Sequence, residues 1–156
     1  MDGDRKQRWL KRAEAAYQRM FDSGELTTFT EREDMACLLA KELARRMSKT
    51  PLRVKDAPGF VANRVLMPMI NEAAFALAEG VADAKTIDQV MVLGCDHPMG
   101  PLALADLIGL DVCVLIMEVL HRDTGNPKFE PCPLLRELVA AGRLGRKAKR
   151  GFFDYA

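Results

Sequence analysis

Histidine is scarce in this chain, with two in 156 residues, and net charge is nearly absent, with 23 Lys and Arg against 22 Asp and Glu. The first scarcity leaves little imidazole for acid–base or metal work, and the second removes the global field that draws a protein to nucleic acid or an anionic membrane. Cys37, Cys95, Cys113 and Cys132 form no Cys-x-x-Cys pair, and no histidine stands at ligand spacing from them, so no zinc site is expected. No apolar run reaches the ~18 residues that cross a bilayer, and no signal peptide opens the chain, so a soluble protein of the reducing cytoplasm is expected. No Gly-x-Gly-x-x-Gly turn occurs and no strands alternate with helices, which excludes a self-contained nicotinamide site of the common type. Ser23 and Ser48 lack the Gly-x-Ser-x-Gly setting of a nucleophile elbow, which argues against a hydrolase.

What the chain does have is helical periodicity. Trp9, Ala13, Ala16, Tyr17, Met20 and Phe21 make one amphipathic face over Arg5–Phe21, and Ser23-Gly24 ends it. Thr30 with Glu33 reads as a capping box for a second helix bearing Met35, Leu38, Leu39, Leu43 and Met47. A third, apolar on nearly every side, runs from Phe60 to Ala78 with Gly80 as its stop, and Pro68 inside it predicts a kink within a turn of Asn63. Asp83 is placed to cap a short fourth helix ending at Gly94, Pro101 to start a fifth that Gly109 breaks, and Asp111 to cap a sixth. Pro131 and Pro133 introduce the last, which Gly142 stops. The fold class is therefore all-α, a helical bundle with one short strand-like piece at residues 52–55, where Leu52 and Val54 alternate with Arg53 and Lys55.

Few side chains in this pattern carry chemistry. Asn63 stands in the first turn of the apolar third helix, where it either serves a ligand or bonds its own backbone, and spacing leaves both open. His97 opens a fixed loop, His97-Pro98-Met99-Gly100-Pro101, and is either a ligand donor or a structural loop histidine. His121 follows an apolar helix and reads as a C-terminal helix cation. Met67, Met69, Met91 and Met117 suit core positions, or an acyl-chain groove. Arg143, Arg146, Lys147, Lys149 and Arg150 either meet phosphate groups of a cofactor such as coenzyme A or are simply solvated. Cys37, Cys95 and Cys113 lie in apolar helical patterns, as buried free thiols do.

Five motifs, in order, give a further reading. They are Lys-Thr-Pro-Leu with Asp-Ala-Pro-Gly-Phe-Val-Ala-Asn-Arg from Lys49 to Arg64, Asn71-Glu72-Ala73, His97 to Leu102, Asp106-Leu-Ile-Gly-Leu-Asp111, and Gly145-Arg-Lys through Arg150-Gly-Phe-Phe-Asp-Tyr155. With them the sequence from Lys49 to Tyr155 resembles the C-terminal domain of 3-hydroxyacyl-CoA dehydrogenases, especially the bacterial 3-hydroxybutyryl-CoA type. The resemblance implies an oxidoreductase of fatty acid metabolism whose helical domain, like the C-terminal domain of 6-phosphogluconate dehydrogenase, forms a homodimer and closes over acyl-CoA. It places Asn63 at the substrate's oxygen and His97, Pro98, Met99 and Gly100 near the acyl group. NAD and the catalytic His/Glu pair are implied on a separate Rossmann domain, so no cofactor or metal is expected on this chain alone.

Residues 1–50 are accordingly expected to be an N-terminal helical extension, partly a remnant of a Rossmann domain end, and residues 51–156 the C-terminal domain. The implied partners are the acyl-CoA substrate, a second copy and a separate NAD-binding domain, with neither nucleic acid nor membrane. The competing expectation is a non-catalytic dimerising or interaction protein derived from the same domain.

Overall fold

The structure is a computed structural model that describes residues 29–156 together with Ala15, Gln18, Arg19, Asp22 and Ser23, with side chains in the first complete helix described from Ala36 onward. Most of the helix expected over Arg5–Phe21 lies outside the described residues. The chain divides into two compact units, the first running to Arg53 and the second from Val54 to Ala156.

In the first unit, α1 (Phe29–Arg46) already contains Thr30, so the helix begins ahead of the expected cap. Arg45 and Arg46 in its last turn meet the negative end of the helix dipole. Ser48, with φ of 56°, turns the chain out while Lys49 N–H returns to Ala44 O at 2.9 Å. The strand-like piece at residues 52–55 does not form a strand: residues 51–57 carry no regular structure and Leu52 is 83% exposed. Alternation alone does not make a strand, because a strand needs a neighbour to take its N–H and C=O groups.

The second unit is built from α2 (Ala62–Ala78), α3 (Ala84–Cys95), α4 (Pro101–Ile108), α5 (Leu110–Thr124) and α6 (Pro133–Ala140), with 3-10 turns at Pro127–Phe129 and Arg146–Ala148. The all-α expectation holds, and among the described residues the only β pairings are the isolated bridges Gly145 to Arg150 and Arg150 to Asp154. Apolar spacing on α2 and α5 gives the main core: Met67, Ile70 and Ala74 meet Ala105, Cys113, Met117, Leu120, Phe129 and Leu135. A second cluster joins Ala73, Ile87 and Leu102, with Phe152 and Phe153 packed on it.

Local signals explain most helix ends. Asp83 accepts from Thr86 N–H at 2.7 Å, which caps α3 and holds its carboxyl below the usual range. Gly94 does not stop α3, which continues through Cys95 to a left-handed Asp96 with φ of 55°. Asp111 does not cap α5 either. The helix begins at Leu110, and Asp111 sits in its first turn paired with Lys147 Nζ at 2.6 Å, a partner 36 residues away that no local rule foresees. Helix α2 runs on through Pro68. Cys113 and Cys132 are buried, whereas Cys95 is exposed because α3 carries it past the packed part of the unit. No helix among the described residues is long and apolar enough to cross a membrane.

Candidate functional site

The entrance to α2 is a rigid double turn. Gly59 and Phe60 are both left-handed, with φ of 74° and 47°, and Phe60 N–H returns to Ala57 O at 2.9 Å. A Cβ on Gly59 would stand 2.7 Å from Leu120 Cδ2, so glycine is needed for the backbone to press on the end of α5. This turn sets Asn63, whose N–H bonds Gly59 O at 3.2 Å. Its side-chain amide is half-buried and has no hydrogen-bond partner among the described residues; the helix is capped at Val61 without a side-chain bond. The reading in which Asn63 bonds its own backbone therefore does not describe this geometry. The two amide N–H donors and the amide oxygen are left without a partner among the described residues, on a fixed turn.

The loop after α3 is held differently. His97 N–H bonds Met91 O at 3.2 Å, and its ring is half-buried, as is Met99, while Pro98 is exposed. Gly100 is buried because Asp88 fills its side: an added Cβ would lie 2.1 Å from Asp88 Cγ. Asp88 in turn accepts from Leu102 N–H at 2.8 Å and Ala103 N–H at 2.9 Å, capping α4 from a different helix. Burial pushes the Asp88 carboxyl above its ordinary value, with those two backbone donors pulling the other way. The same carboxylate, with Lys85, Gln89, Val92, Leu93 and Phe153, lines a cleft of about 310 Å³.

Asn63 and this loop do not meet within the unit. Leu102, just past the loop, packs on Ala73 and Ile87, and Ala73 lies ten residues from Asn63, about 15 Å along α2 at 1.5 Å per residue. The structure thus separates the predicted residues into an amide at the start of α2 and a loop beside its second half.

Two buried polar residues that carry the architecture were not singled out by the chemistry of the sequence. Asn71, 5% exposed, donates to Glu130 O and accepts from Cys132 N–H, both at 2.8 Å, tying α2 to the start of α6. Asp106, 1% exposed, accepts from Phe152 N–H, Phe153 N–H and Tyr155 Oη at 2.9, 3.0 and 2.9 Å. Both stand inside quoted motifs, and a polar side chain on the apolar stripe of a predicted helix was the available signal.

The basic tail is used mainly by the fold. Lys147 is paired with Asp111, Arg150 bonds Asp154 at 2.9 Å, and the Arg146 guanidinium lies 5.4 Å from the Tyr155 ring. His121 Nδ1 is 3.0 Å from Asn126 O at the end of α5, in keeping with its expected place. Met67 and Met117 are core. Among the described residues no group of three or more His, Cys, Asp or Glu side chains is arranged to hold a metal. Among the described residues no glycine-rich turn links a strand to a helix, the arrangement in which backbone N–H groups commonly meet a dinucleotide pyrophosphate.

Residues 59–155 match the family profile of the 3-hydroxyacyl-CoA dehydrogenase, C-terminal domain. A probable 3-hydroxybutyryl-CoA dehydrogenase of Bacillus subtilis (strain 168) is 63% identical over 113 residues, 72% of this chain and 39% of that protein. The hydroxyacyl-coenzyme A dehydrogenase, mitochondrial, of Sus scrofa is 37% identical over 130 residues, 83% of this chain and 41% of that protein. The crystal structure of (S)-3-hydroxybutyryl-CoA dehydrogenase PaaH1 from Ralstonia eutropha superimposes with a TM-score of 0.75 at 49% identity, covering 83% of this chain and 44% of that one. This chain spans about two fifths of the length of the curated relatives it matches.

Proposed function

The chain belongs to the 3-hydroxyacyl-CoA dehydrogenase family, as its C-terminal domain, and from that membership we propose that it is the substrate-orienting and dimer-forming part of an NAD-dependent 3-hydroxyacyl-CoA dehydrogenase. The reaction it serves is oxidation of an (S)-3-hydroxyacyl-CoA to the 3-oxoacyl-CoA, or the reverse. NAD receives the hydride on a separate domain, which also supplies the acid–base pair. The part of this chain is to hold the oxygen on the reacting carbon.

The observation that carries the reading is the free amide of Asn63 on a fixed turn. An amide N–H pointed at an alcohol or carbonyl oxygen orients it, and the donor gains strength as the oxygen takes on negative charge in reduction of the ketone. His97, Pro98, Met99 and Gly100 are proposed to approach the acyl group, and their separation from Asn63 within one unit asks for a second copy or another domain to complete the enclosure. Leu93, Leu115 and Val90, exposed at 83%, 60% and 59%, are apolar surface suited to self-association.

Calorimetric titration with acetoacetyl-CoA is the test: the parent chain binds, and Asn63→Ala binds at least tenfold more weakly, the loss of a hydrogen bond to a polarised oxygen. Equal affinity for the two proteins removes Asn63 from the site. No turnover with NADH is expected from the chain alone, and activity on mixing with an NAD-binding domain is; dimerisation with no response to acyl-CoA would instead favour a non-catalytic interaction module. Light scattering at micromolar concentration reports the dimer.

A further inference from the structure

The cap of α4 comes from another helix, in place of a simpler local one. Gly100 is the N-cap residue of α4 and brings no side chain, where a Ser or Asp would bond the first-turn N–H groups directly. Asp88 of α3, 8% exposed, does this instead, accepting from Leu102 N–H and Ala103 N–H at 2.8 and 2.9 Å. It occupies the space that a side chain on Gly100 would need. The arrangement is costly, because among the described residues no cation pairs with this carboxylate. Burial pushes it above its ordinary value, and the nearby charge of Asp106 adds to the push.

What the costly cap secures is the loop between the two helices. At its start, Met91 O accepts from both Asp96 N–H and His97 N–H. At its end, Asp88 holds Gly100 and the first turn of α4. Asp88 and Met91 are one turn apart on α3, so His97, Pro98 and Met99 span two fixed points of a single helix. His97 and Met99 are half-buried there and Pro98 is exposed.

We propose that Asp88 is a positioning residue for acyl recognition: by clamping Gly100 and the start of α4 to α3, it sets where Pro98 and Met99 meet the acyl group. That role deepens the function proposed above and rests on it for the contact between this loop and the acyl group. Asp88 touches no ligand itself and acts through the loop. A loop already held in one shape binds without first being ordered, and that saving goes to whatever group the loop contacts. Groups that the loop does not contact gain nothing from it.

The whole chain is titrated calorimetrically with coenzyme A and with acetoacetyl-CoA, and the ratio of the two dissociation constants reports what the acyl group adds. The parent is expected to prefer acetoacetyl-CoA. Asp88→Asn keeps one acceptor oxygen but sets an NH2 against a backbone N–H. It is expected to lower the ratio about fivefold or more while coenzyme A binds as before. Asp83→Ala removes the cap of α3 itself and is the control, expected to lower stability and leave the ratio where it was. Hydrogen exchange read by mass spectrometry should quicken in Asp88→Asn across residues 97–103 and stay unchanged in α5. Should Asp88→Asn not fold, Gly100→Ala drives the loop off the intact carboxylate and is expected to lower the same ratio. An unchanged ratio in the folded variants, or exchange unchanged at 97–103, overturns the proposal and leaves the dehydrogenase reading standing. An equal loss for both ligands overturns it as well, since it marks a structural role only. A parent that binds the two ligands alike removes the loop from the acyl group, and a parent that binds neither removes the ligand; in both cases the reading above falls together with the role of Asp88.

Discussion

Replacing Asp106 by alanine tests how the tail is held. The carboxylate is 1% exposed and takes two backbone N–H groups and the Tyr155 hydroxyl, all at 2.9–3.0 Å. Hydrogen bonds to a charged group contribute about 1.5–3 kcal/mol each, and donors at a loosened surface segment recover part of that from water, so Asp106→Ala should cost about 3–5 kcal/mol. With a urea slope near 1.5 kcal/mol/M, the unfolding midpoint falls by about 2–3 M, a large part of the stability of a unit this size. Tyr155→Phe removes one bond of the three and should cost about 1 kcal/mol. The phenol supplies a second readout. Its pKa is pushed up to about 12 by burial first, then by its hydrogen bond to Asp106 and that carboxylate's charge. Since this exceeds the unfolded value of about 10, the contribution is intact below pH 10 and is lost as pH rises through 12. Absorbance titration at the phenolate band, in a Tyr17→Phe background, should show Tyr155 near 12, falling toward 10 with Asp106→Ala. A midpoint loss worth under 1 kcal/mol, or a phenol indifferent to Asp106, would refute the reasoning.

Asn71→Ala strands Glu130 O and Cys132 N–H and should cost about 2–4 kcal/mol by urea unfolding; Asn71→Asp should cost more, since a carboxylate cannot donate to Glu130 O and its charge is buried. Gly100→Ala pushes a methyl into Asp88 and should cost about 2–4 kcal/mol, and the double change with Asp88→Ala should cost less than the two singles summed, measured as a thermodynamic cycle. In the native protein at pH 8 the exposed Cys95 should react rapidly with a thiol reagent, whereas Cys113, its thiol pushed up to about 12 by burial, and buried Cys132 should react only on unfolding; mass spectrometry of the labelled protein decides.

Much of the second unit was legible because its signals are local. Asp83 ahead of Thr86, Pro101 and Pro133 at helix starts, and the apolar spacing of Met67, Ile70 and Ala74 each settle a structure within a turn or two. The illegible features all join distant residues. Asp111 looked like a cap and became the partner of Lys147, and Gly94 failed as a stop because Asp96 took the left-handed position two residues on. Alternation at 52–55 promised a strand without a partner to pair with. At the site, the sequence marked Asn63 but left its amide undecided, and only the fold around it shows that no group among the described residues claims the amide. The tail read as a field of positive charge, yet its hold on the unit runs through the Phe152 and Phe153 backbone and the Tyr155 phenol, and Asp106, more than 45 residues earlier, stands out only as a polar side chain on an apolar stripe, without naming the partners it takes.

Phe60 has a consequence for how this surface would fare under selection for stability. A bulky residue at φ of 47° costs on the order of 1–3 kcal/mol, and at 57% exposure its ring recovers little of that by burial. A library randomised at position 60 and sorted only for thermal resistance should therefore drift to asparagine or glycine. On the proposed function, which sets acyl-CoA beside Asn63 three residues on, the same library sorted for acyl-CoA binding should keep the aromatic. Two winners from one pool would mark the α2 entrance as a place where durability and use pull apart.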